Sequence, residues 1–206
     1  MRKLLIASNN RHKIAEYREI FADLPVAITY PAAEGIWLDP AETGTTFEEN
    51  AIIKARAFAT VSDLPTLADD SGLEVDALNG EPGVYSARYG NTARDDHAAR
   101  YRLLLEKLAA KKLPWAGRSA RFRCVVALAV KKNLIGTAQG SVAGFIAYEP
   151  QGTGGFGYDP VFFLPEFNQT MAQLSSAQKH MISHRGRAAR AAIPLIKSLD
   201  AVEKNR

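Results

Sequence analysis

The chain has 206 residues, 47% of hydrophobic and 23% of charged types, which suffices for one substantial core and predicts a single domain over residues 1–206, in one or two lobes. The net charge of +4 comes from scattered lysines and arginines, which argues against a nucleic-acid partner. The apolar runs are far shorter than the roughly 18 residues of a membrane-spanning helix, so we expect no membrane association.

Hydrophobic periodicity in the N-terminal part predicts alternating strands and helices. Strands are expected at residues 4–7 and 26–30, and apolar residues at helical spacing predict a helix over residues 13–24. The pattern Thr46-Phe47-Glu48-Glu49 is typical of a capping box with Thr46 as N-cap. A second helix should therefore follow and end near Ser62.

A short apolar strand at residues 66–68 is followed at once by the polar sequence Asp69-Asp70-Ser71-Gly72. Two acids are thus predicted at the carboxyl end of a strand. Ligands usually bind at such an edge in α/β proteins.

The next segment predicts a helix and then a hairpin. Residues 93–111 look helical, and the β-prone runs 120–131 and 134–148 are joined by a turn near Asn133. The hairpin contains the single cysteine, Cys124. A single cysteine excludes an intramolecular disulfide and fits a reducing compartment, so the cytoplasm is the expected location.

A glycine-rich loop at residues 152–157 precedes a predicted strand at residues 161–164. The C-terminal helix should begin near Ser175 or Ser183 and kink or break near Pro194. This order of strands and helices predicts an α/β protein with a mixed sheet.

The first candidate site is the polar loop between the first strand and the first helix. Exposed backbone N–H groups and the helix dipole favour phosphate there, and Lys13 adds a mobile charge. The loop is not a P-loop, because the G-x-x-x-x-G-K-[ST] pattern is absent. An ordinary turn with a solvated lysine is the alternative. The candidate phosphate ligands are Ser8, Asn9, Asn10, Arg11, His12 and Lys13.

The second candidate site is acidic and consists of Glu42, Asp69 and Asp70. Carboxylate oxygens suit Mg²⁺, which binds through one or two carboxylates together with substrate phosphates. A base beside such a metal can activate water. The alternative is a loop acid at Glu42 and simple turn chemistry after the strand.

The third candidate is the glycine-rich loop, which contains a literal G-x-G-x-x-G. A dinucleotide fingerprint must open a helix, whereas here Pro160 and a β-prone run follow. Phe156 in a glycine frame is instead suited to stack on a base. A structural turn around a core phenylalanine is the alternative.

The fourth candidate combines Lys179 with His184 and Arg185. If a helix starts here, these donors lie near its positive end and suit the carbonyl oxygens of hypoxanthine or xanthine. An ordinary helix surface is the alternative. Lys54 lies one helical turn beyond Asn50, so both side chains are expected on one face.

Together these segments resemble the inosine/xanthosine triphosphate pyrophosphatase family over nearly the full chain. In the family's phosphate-binding opening a small residue stands where this chain has Asn9, which affects local loop geometry only. The resembling stretches cover residues 8–13, 43–51, 68–73, 82–89, 152–160 and 183–186.

The resemblance implies Mg²⁺-dependent hydrolysis of ITP, dITP and XTP to the monophosphate and pyrophosphate, which removes them from the nucleotide pool. It also implies a homodimer and a two-lobed fold, in which helices flank a long twisted mixed sheet with a central cleft. The resemblance implies that Asp70 is the proton acceptor, that Asp69 is a supporting acid, and that Glu42 and Asp70 form the magnesium site. It implies triphosphate binding by Lys13 and Lys54 and substrate contact by Ser71. The residues implied to bind the nucleotide, chiefly its base, are Phe156, Gly157, Tyr158, Asp159, Lys179, His184 and Arg185.

Two alternative functions stay open at this point. One is a related pyrophosphatase that acts on modified pyrimidine or methylated nucleotides. The other is a basic nucleic-acid-binding module, which would bind with a steep salt dependence and release no pyrophosphate.

Overall fold

The computed structural model describes residues 1–93 and 95–204, and at residues 176, 180 and 200–204 it describes the backbone alone. Seven strands and six α-helices occur in the described chain. The strands are β1 Arg2–Ile6, β2 Val26–Thr29, β3 Thr66–Val75, β4 Ser119–Val130, β5 Asn133–Ile146, β6 Phe162–Leu164 and β7 Gln169–Thr170. The helices are α1 Arg11–Ile20, α2 Phe47–Ser62, α3 His97–Ala110, α4 Ser176–Ile182, α5 His184–Ala191 and α6 Ile193–Lys204.

All seven strands belong to one sheet in the order β2-β1-β3-β4-β5-β6-β7. β1 is parallel to both of its neighbours, with Leu4 opposite Ile28 on one side and Ile6 opposite Leu67 on the other. β6 is antiparallel to β5 and to β7. The predicted α/β class with a mixed sheet is therefore confirmed.

The chain divides into two compact units, each made of discontinuous segments. The first unit comprises Met1–Asp70, Cys124–Gly140 and His184–Arg206, and the second comprises Ser71–Arg123 and Ser141–Ser183. The chain passes from one unit to the other within β3, within β4 and within β5, so neither unit is a continuous stretch of chain.

The core of the first unit forms where the apolar face of α1 meets the strands. Tyr17 and Phe21 are one helical turn apart, and their rings stack with centroids 5.6 Å apart. They pack with Leu4, Leu67 and Leu128 from three strands, all fully buried. Burial of these side chains fixes α1 against the sheet and thereby places the residues at its N-terminus.

The core of the second unit surrounds Phe162 of β6. Its ring lies 4.5 Å from that of Phe122 in β4, and Leu104 and Leu108 contribute the buried face of α3. This core also contains Tyr158, from the end of the glycine-rich loop. Among the described residues, no helix is both long and apolar enough to cross a bilayer.

Several predicted elements agree with the structure. α2 begins after Thr46, whose side chain accepts a hydrogen bond from the Glu49 amide while the Glu49 carboxylate accepts one from the Thr46 amide. The hairpin turns at Lys131 and Lys132, and a two-residue connection joins antiparallel strands. The helical C-terminus breaks at Ala192, so that Pro194 is the second residue of α6, where its missing N–H removes no helical hydrogen bond.

Other boundaries differ from the prediction. α1 begins at Arg11 rather than at residue 13, because Asn10 caps it, and α3 begins only at His97, after the cap Asp96. Residue 94 of that predicted helix lies outside the described residues. The predicted end of the strand at residue 68 is wrong, since β3 continues through both acids to Val75. The Asp-Asp-Ser-Gly composition suggests a turn, but pairing within the sheet overrides it.

Candidate functional site

The loop between β1 and α1 is organised by asparagine side chains. Oδ1 of Asn10 accepts hydrogen bonds from the amides of His12 and Lys13, at 2.9 and 3.3 Å. Its own amide donates to Oγ of Ser8, and Oδ1 of Asn9 accepts from the amide of Ala32. The Asn10 side chain thus satisfies two of the backbone N–H groups at the helix N-terminus, where the sequence predicted phosphate binding. Arg11 and His12 are exposed.

The side chain of Lys13 turns towards β3 and not into solvent. Its Nζ lies 2.9 Å from Oδ2 of Asp69, which also accepts a hydrogen bond from Nε of Arg185 at 3.3 Å. The Asp69 side chain is only 2% exposed. Burial alone would raise the pKa of Asp69, but the nearby charges of Lys13 and Arg185 outweigh it and lower that pKa. Asp69 is therefore an ionised acid that holds two cations.

The neighbouring carboxylate has different surroundings. Oδ1 of Asp70 accepts a hydrogen bond from Nζ of Lys54 at 3.0 Å, and Oδ2 accepts one from Nδ2 of Asn50 at 3.3 Å. Both donors come from one face of α2, as their spacing predicted. Burial raises the pKa of Asp70, and this effect outweighs the opposite influence of Lys54. A raised pKa suits a carboxylate that must accept a proton.

Strand geometry explains why two adjacent acids differ in this way. Successive side chains of a β-strand point to opposite faces of the sheet. β3 therefore presents Asp69 to α1 and α5, from which Lys13 and Arg185 reach it, and Asp70 to α2. Ser71 follows on the same strand and is half-buried.

Glu42 and Asp70 fit a divalent cation because one ammonium already joins them. Nζ of Lys54 lies 2.8 Å from Oε1 of Glu42 and 3.0 Å from Oδ1 of Asp70, so both carboxylates converge on a single positive charge. Burial would lower the pKa of Lys54, but Asp70, Asp69 and Glu42 together raise it. Two carboxylates are the protein contribution that Mg²⁺ takes beside substrate phosphates. Within the described part of the chain, no cluster of three or more His, Cys, Asp or Glu residues offers a larger ligand set.

In the second unit, the glycine-rich loop is held by Asp159. Its Oδ2 accepts a hydrogen bond from the amide of Phe156 at 2.8 Å and one from Nζ of Lys179 at 2.7 Å. The same ammonium lies 4.8 Å from the centroid of the Phe156 ring. A Cβ at Gly155, where φ is +74°, would collide with the Asp159 carboxylate, so this position requires glycine. The loop therefore presents a phenyl ring beside a lysine.

The other predicted residues of this loop occupy different positions. Tyr158 is buried in the core of the second unit and donates a hydrogen bond from its hydroxyl to the Ser86 carbonyl. Gly157 has a φ of +67°, with open space where a side chain would begin. His97 was not among the predicted site residues. Its ring centroid lies 6.5 Å from the ring centroid of Phe156.

Lys179, His184 and Arg185 do not share one helix start, contrary to the expectation from sequence. Lys179 lies within α4, whereas His184 and Arg185 open α5, because the chain breaks between two helices at Ser183. Both predicted starting points are nevertheless used, since Ser175 caps α4 and Ser183 precedes α5. His184 and Arg185 are buried in the first unit.

Sequence reasoning missed Glu16, which accepts a hydrogen bond from Nη1 of Arg185 at 2.7 Å. The available signal was its position, three residues after Lys13 on the face of α1 that carries Tyr17. Asp69 thus pairs with Lys13 and Arg185, and Arg185 pairs in turn with Glu16, all within the first unit.

This arrangement of motifs agrees with comparisons to known proteins. The model of the Ham1 family matches residues 4–195. The chain belongs to the Ham1 family. A dITP/XTP pyrophosphatase of Halalkalibacterium halodurans is 43% identical over 189 residues, which cover 90% of this chain and 94% of that protein. The family resemblance deduced from the motifs is therefore confirmed.

Solved structures of Ham1 proteins have the same fold. A HAM1 protein from Coxiella burnetii superimposes with a TM-score of 0.83 at 40% identity, with all of both chains covered. The Ham1 protein of Staphylococcus aureus gives a TM-score of 0.80 at 41% identity, with 99% of each chain covered.

Proposed function

We propose that this chain hydrolyses non-standard purine nucleoside triphosphates, namely ITP, dITP and XTP, to the monophosphate and pyrophosphate, and so removes them from the nucleotide pool. The names of its Ham1 relatives support this activity. The observation that carries it is the pairing of two lysines with the two adjacent acids of β3, Lys13 with Asp69 and Lys54 with Asp70. Cations gathered beside a carboxylate of raised pKa suit the hydrolysis of a polyphosphate.

In this proposal Asp70 is the general base. A water oxygen attacks the α-phosphorus, its proton passes to Asp70, and the bond from the α-phosphorus to the bridging oxygen breaks, so that pyrophosphate leaves. Lys13 and Lys54 neutralise phosphate oxygens, and Asp69 keeps Lys13 in place. Positioning and charge stabilisation contribute most of the rate in such reactions, because the protein has little covalent work to do.

A magnesium ion would be held by Glu42 and Asp70, the two carboxylates that converge on Lys54. Such an ion supplies charge neutralisation at the phosphate oxygens. The residues of the loop before α1, Ser8, Asn9, Asn10, Arg11 and His12, are proposed to contact phosphate beside Lys13, and Ser71 to contact substrate.

For recognition of the base, we propose that Phe156 stacks on the purine ring. Lys179, His184 and Arg185 supply donors suited to its carbonyl oxygens, with Gly157, Tyr158 and Asp159 shaping the loop. Donors at the 6-oxo position accept guanine as well, so discrimination against GTP needs a second feature of the site. We extend the proposal to a homodimer located in the cytoplasm, without nucleic acid or a membrane as a partner.

Pyrophosphate release across a nucleotide panel tests the activity. With Mg²⁺ saturating, kcat/KM for ITP, dITP and XTP should exceed that for ATP and GTP by orders of magnitude, and chelation of Mg²⁺ should abolish turnover. A preference for modified pyrimidine or methylated triphosphates would replace the proposed substrate class. Equal rates on all nucleotides would contradict it.

Asp70→Asn tests the assigned base in the same assay. We expect kcat to fall at least about a hundredfold, because general-base catalysis contributes about that much or more. Asp63→Asn is the matched control, since the Asp63 side chain is 74% exposed and pairs only loosely with Lys131, at 3.6 Å. Turnover by Asp70→Asn close to that of the control would show that another group accepts the proton.

A further inference from the structure

Three ion pairs link four charged side chains of the first unit, and α1 closes them into a ring. Lys13 pairs with Asp69 at 2.9 Å, Asp69 with Arg185 at 3.3 Å, and Arg185 with Glu16 at 2.7 Å. Lys13 and Glu16 are three residues apart on α1, so the helix itself closes the ring. The formal charges of the ring sum to zero, and its Glu16, Asp69 and Arg185 side chains are at most 8% exposed.

We propose that Glu16 is a positioning residue for the polyphosphate site, because it restrains Arg185 and thereby leaves Asp69 to hold the ammonium of Lys13. This inference rests on the proposed function only in that Lys13 binds the triphosphate. Glu16 touches neither substrate nor reacting atoms in this proposal, and it acts through Arg185 and Asp69.

Competition for one oxygen atom supports this role. Nζ of Lys13 and Nε of Arg185 both approach Oδ2 of Asp69. Oε2 of Glu16 accepts a hydrogen bond from Nη1 of Arg185, at the shorter distance of 2.7 Å, and so holds the other end of the guanidinium. The balance between the two carboxylates keeps Arg185 from taking over Asp69.

Loss of the Glu16 charge would upset this balance. The guanidinium of Arg185 stays charged, and the loss of one partner of a buried charge is costly, which favours closer pairing of Arg185 with Asp69. Arginine binds a carboxylate through two parallel hydrogen bonds, which would occupy both oxygens of Asp69 and displace Lys13. A displaced lysine loses more rotamer freedom when a polyphosphate binds, so the affinity of the protein for polyphosphate falls.

The test measures binding of inorganic tripolyphosphate to the full chain by calorimetry, with chelator present, so that neither metal nor hydrolysis contributes. Glu16→Gln keeps the size of the side chain and removes its charge. We expect it to weaken tripolyphosphate binding about fivefold to tenfold, the effect of one less restrained side chain. The control is Glu34→Gln, in the same unit, since the Glu34 carboxylate also accepts hydrogen bonds from a lysine, Lys3, and from Thr29.

Steady-state kinetics with dITP separate a positioning role from a purely structural one. Glu16→Gln should raise KM by the same factor and change kcat by less than about threefold. A lower melting temperature with unchanged tripolyphosphate affinity would overturn the inference, and so would tighter binding. If Glu16→Gln does not fold, Glu16→Asp replaces it. This variant keeps the charge but is shorter, and it should weaken tripolyphosphate binding by a smaller factor, whereas wild-type affinity would overturn the inference.

The same measurements distinguish this inference from the proposed function. If the wild-type chain hydrolyses no purine triphosphate but binds tripolyphosphate in a manner that depends on Glu16, the proposed function fails and the positioning role stands. If the wild type hydrolyses dITP and Glu16→Gln matches it in both assays, the positioning role alone fails.

Discussion

Asp69 and Asp70 are adjacent in the chain, yet opposite faces of β3 give their carboxyl groups different chemistry. Lys13 and Arg185 overcome the effect of burial at Asp69 and lower its pKa, whereas burial prevails at Asp70 and raises its pKa. Asp69 therefore remains a charged anchor, and Asp70 is the better proton acceptor. In the proposed reaction, Asp69 holds Lys13 and Asp70 accepts the proton, a division that is possible because a strand alternates its side chains.

Lys54 gives a prediction at this scale for the proposed magnesium site. Its ammonium lies between Glu42 and Asp70 and competes with a metal ion for both carboxylates. Lys54→Met should therefore bind Mg²⁺ about tenfold more tightly than the wild type in the absence of nucleotide, because the two carboxylates lose the ammonium that both bind and repel each other more strongly. Calorimetric titration with magnesium chloride measures this directly.

Lys3→Met is the control for that titration. Lys3 pairs with Glu34 of the same unit, away from the two carboxylates, and its side chain is 54% exposed. Its removal should leave Mg²⁺ affinity unchanged. Equal affinity of Lys54→Met and Lys3→Met would place the metal elsewhere.

At the scale of elements, α2 is fixed by its first turn. The carboxylate of Glu49 accepts hydrogen bonds from the amides of Thr45 and Thr46, and Oγ1 of Thr46 accepts one from the amide of Glu49. Oδ1 of Asn50 accepts one from the amide of Gly44. The capping box thus connects the loop that carries Glu42 to the helix that carries Lys54.

Thr46→Ala should lower the free energy of unfolding by about 1 kcal/mol, the usual cost of losing an N-cap. Urea denaturation measures this change. Thr60→Ala, in the same helix, is the matched comparison: the Thr60 hydroxyl only donates to the Arg56 carbonyl within the helix. This comparison variant should change stability by no more than about 0.5 kcal/mol. Equal effects of the two substitutions would mean that the cap adds no stability.

At the scale of the whole molecule, two separate hydrophobic cores hold the discontinuous segments together. Leu128 is fully buried in the first unit and Phe162 in the second. Since every segment contributes to one core or the other, stability depends on side chains far apart in sequence.

Leu128→Ala and Phe162→Ala should each lower the free energy of unfolding by about 3 kcal/mol, because each leaves a cavity in a packed core. Denaturant titration of both variants measures the effect. Val61→Ala is the reference, since Val61 is 59% exposed and its truncation should change stability by no more than about 0.5 kcal/mol. A loss below 1 kcal/mol for either core variant would indicate that its core is loosely packed.

Local sequence patterns determined much of this protein by themselves. The capping box determined the start of α2, the spacing of Asn50 and Lys54 placed both side chains on one face of that helix, and the motif series identified the family. These features depend on neighbours within a few residues, whose geometry the helix or the turn imposes directly.

Only the tertiary structure decided the surroundings of Asp69 and Asp70. β3 continues through both acids, where the sequence predicted the end of the strand, since pairing with neighbouring strands outweighs local preference. Only the tertiary structure pairs Glu16 with Arg185, 169 residues along the chain. Charge partners so far apart in sequence are brought together by core packing, and local sequence patterns do not predict such contacts.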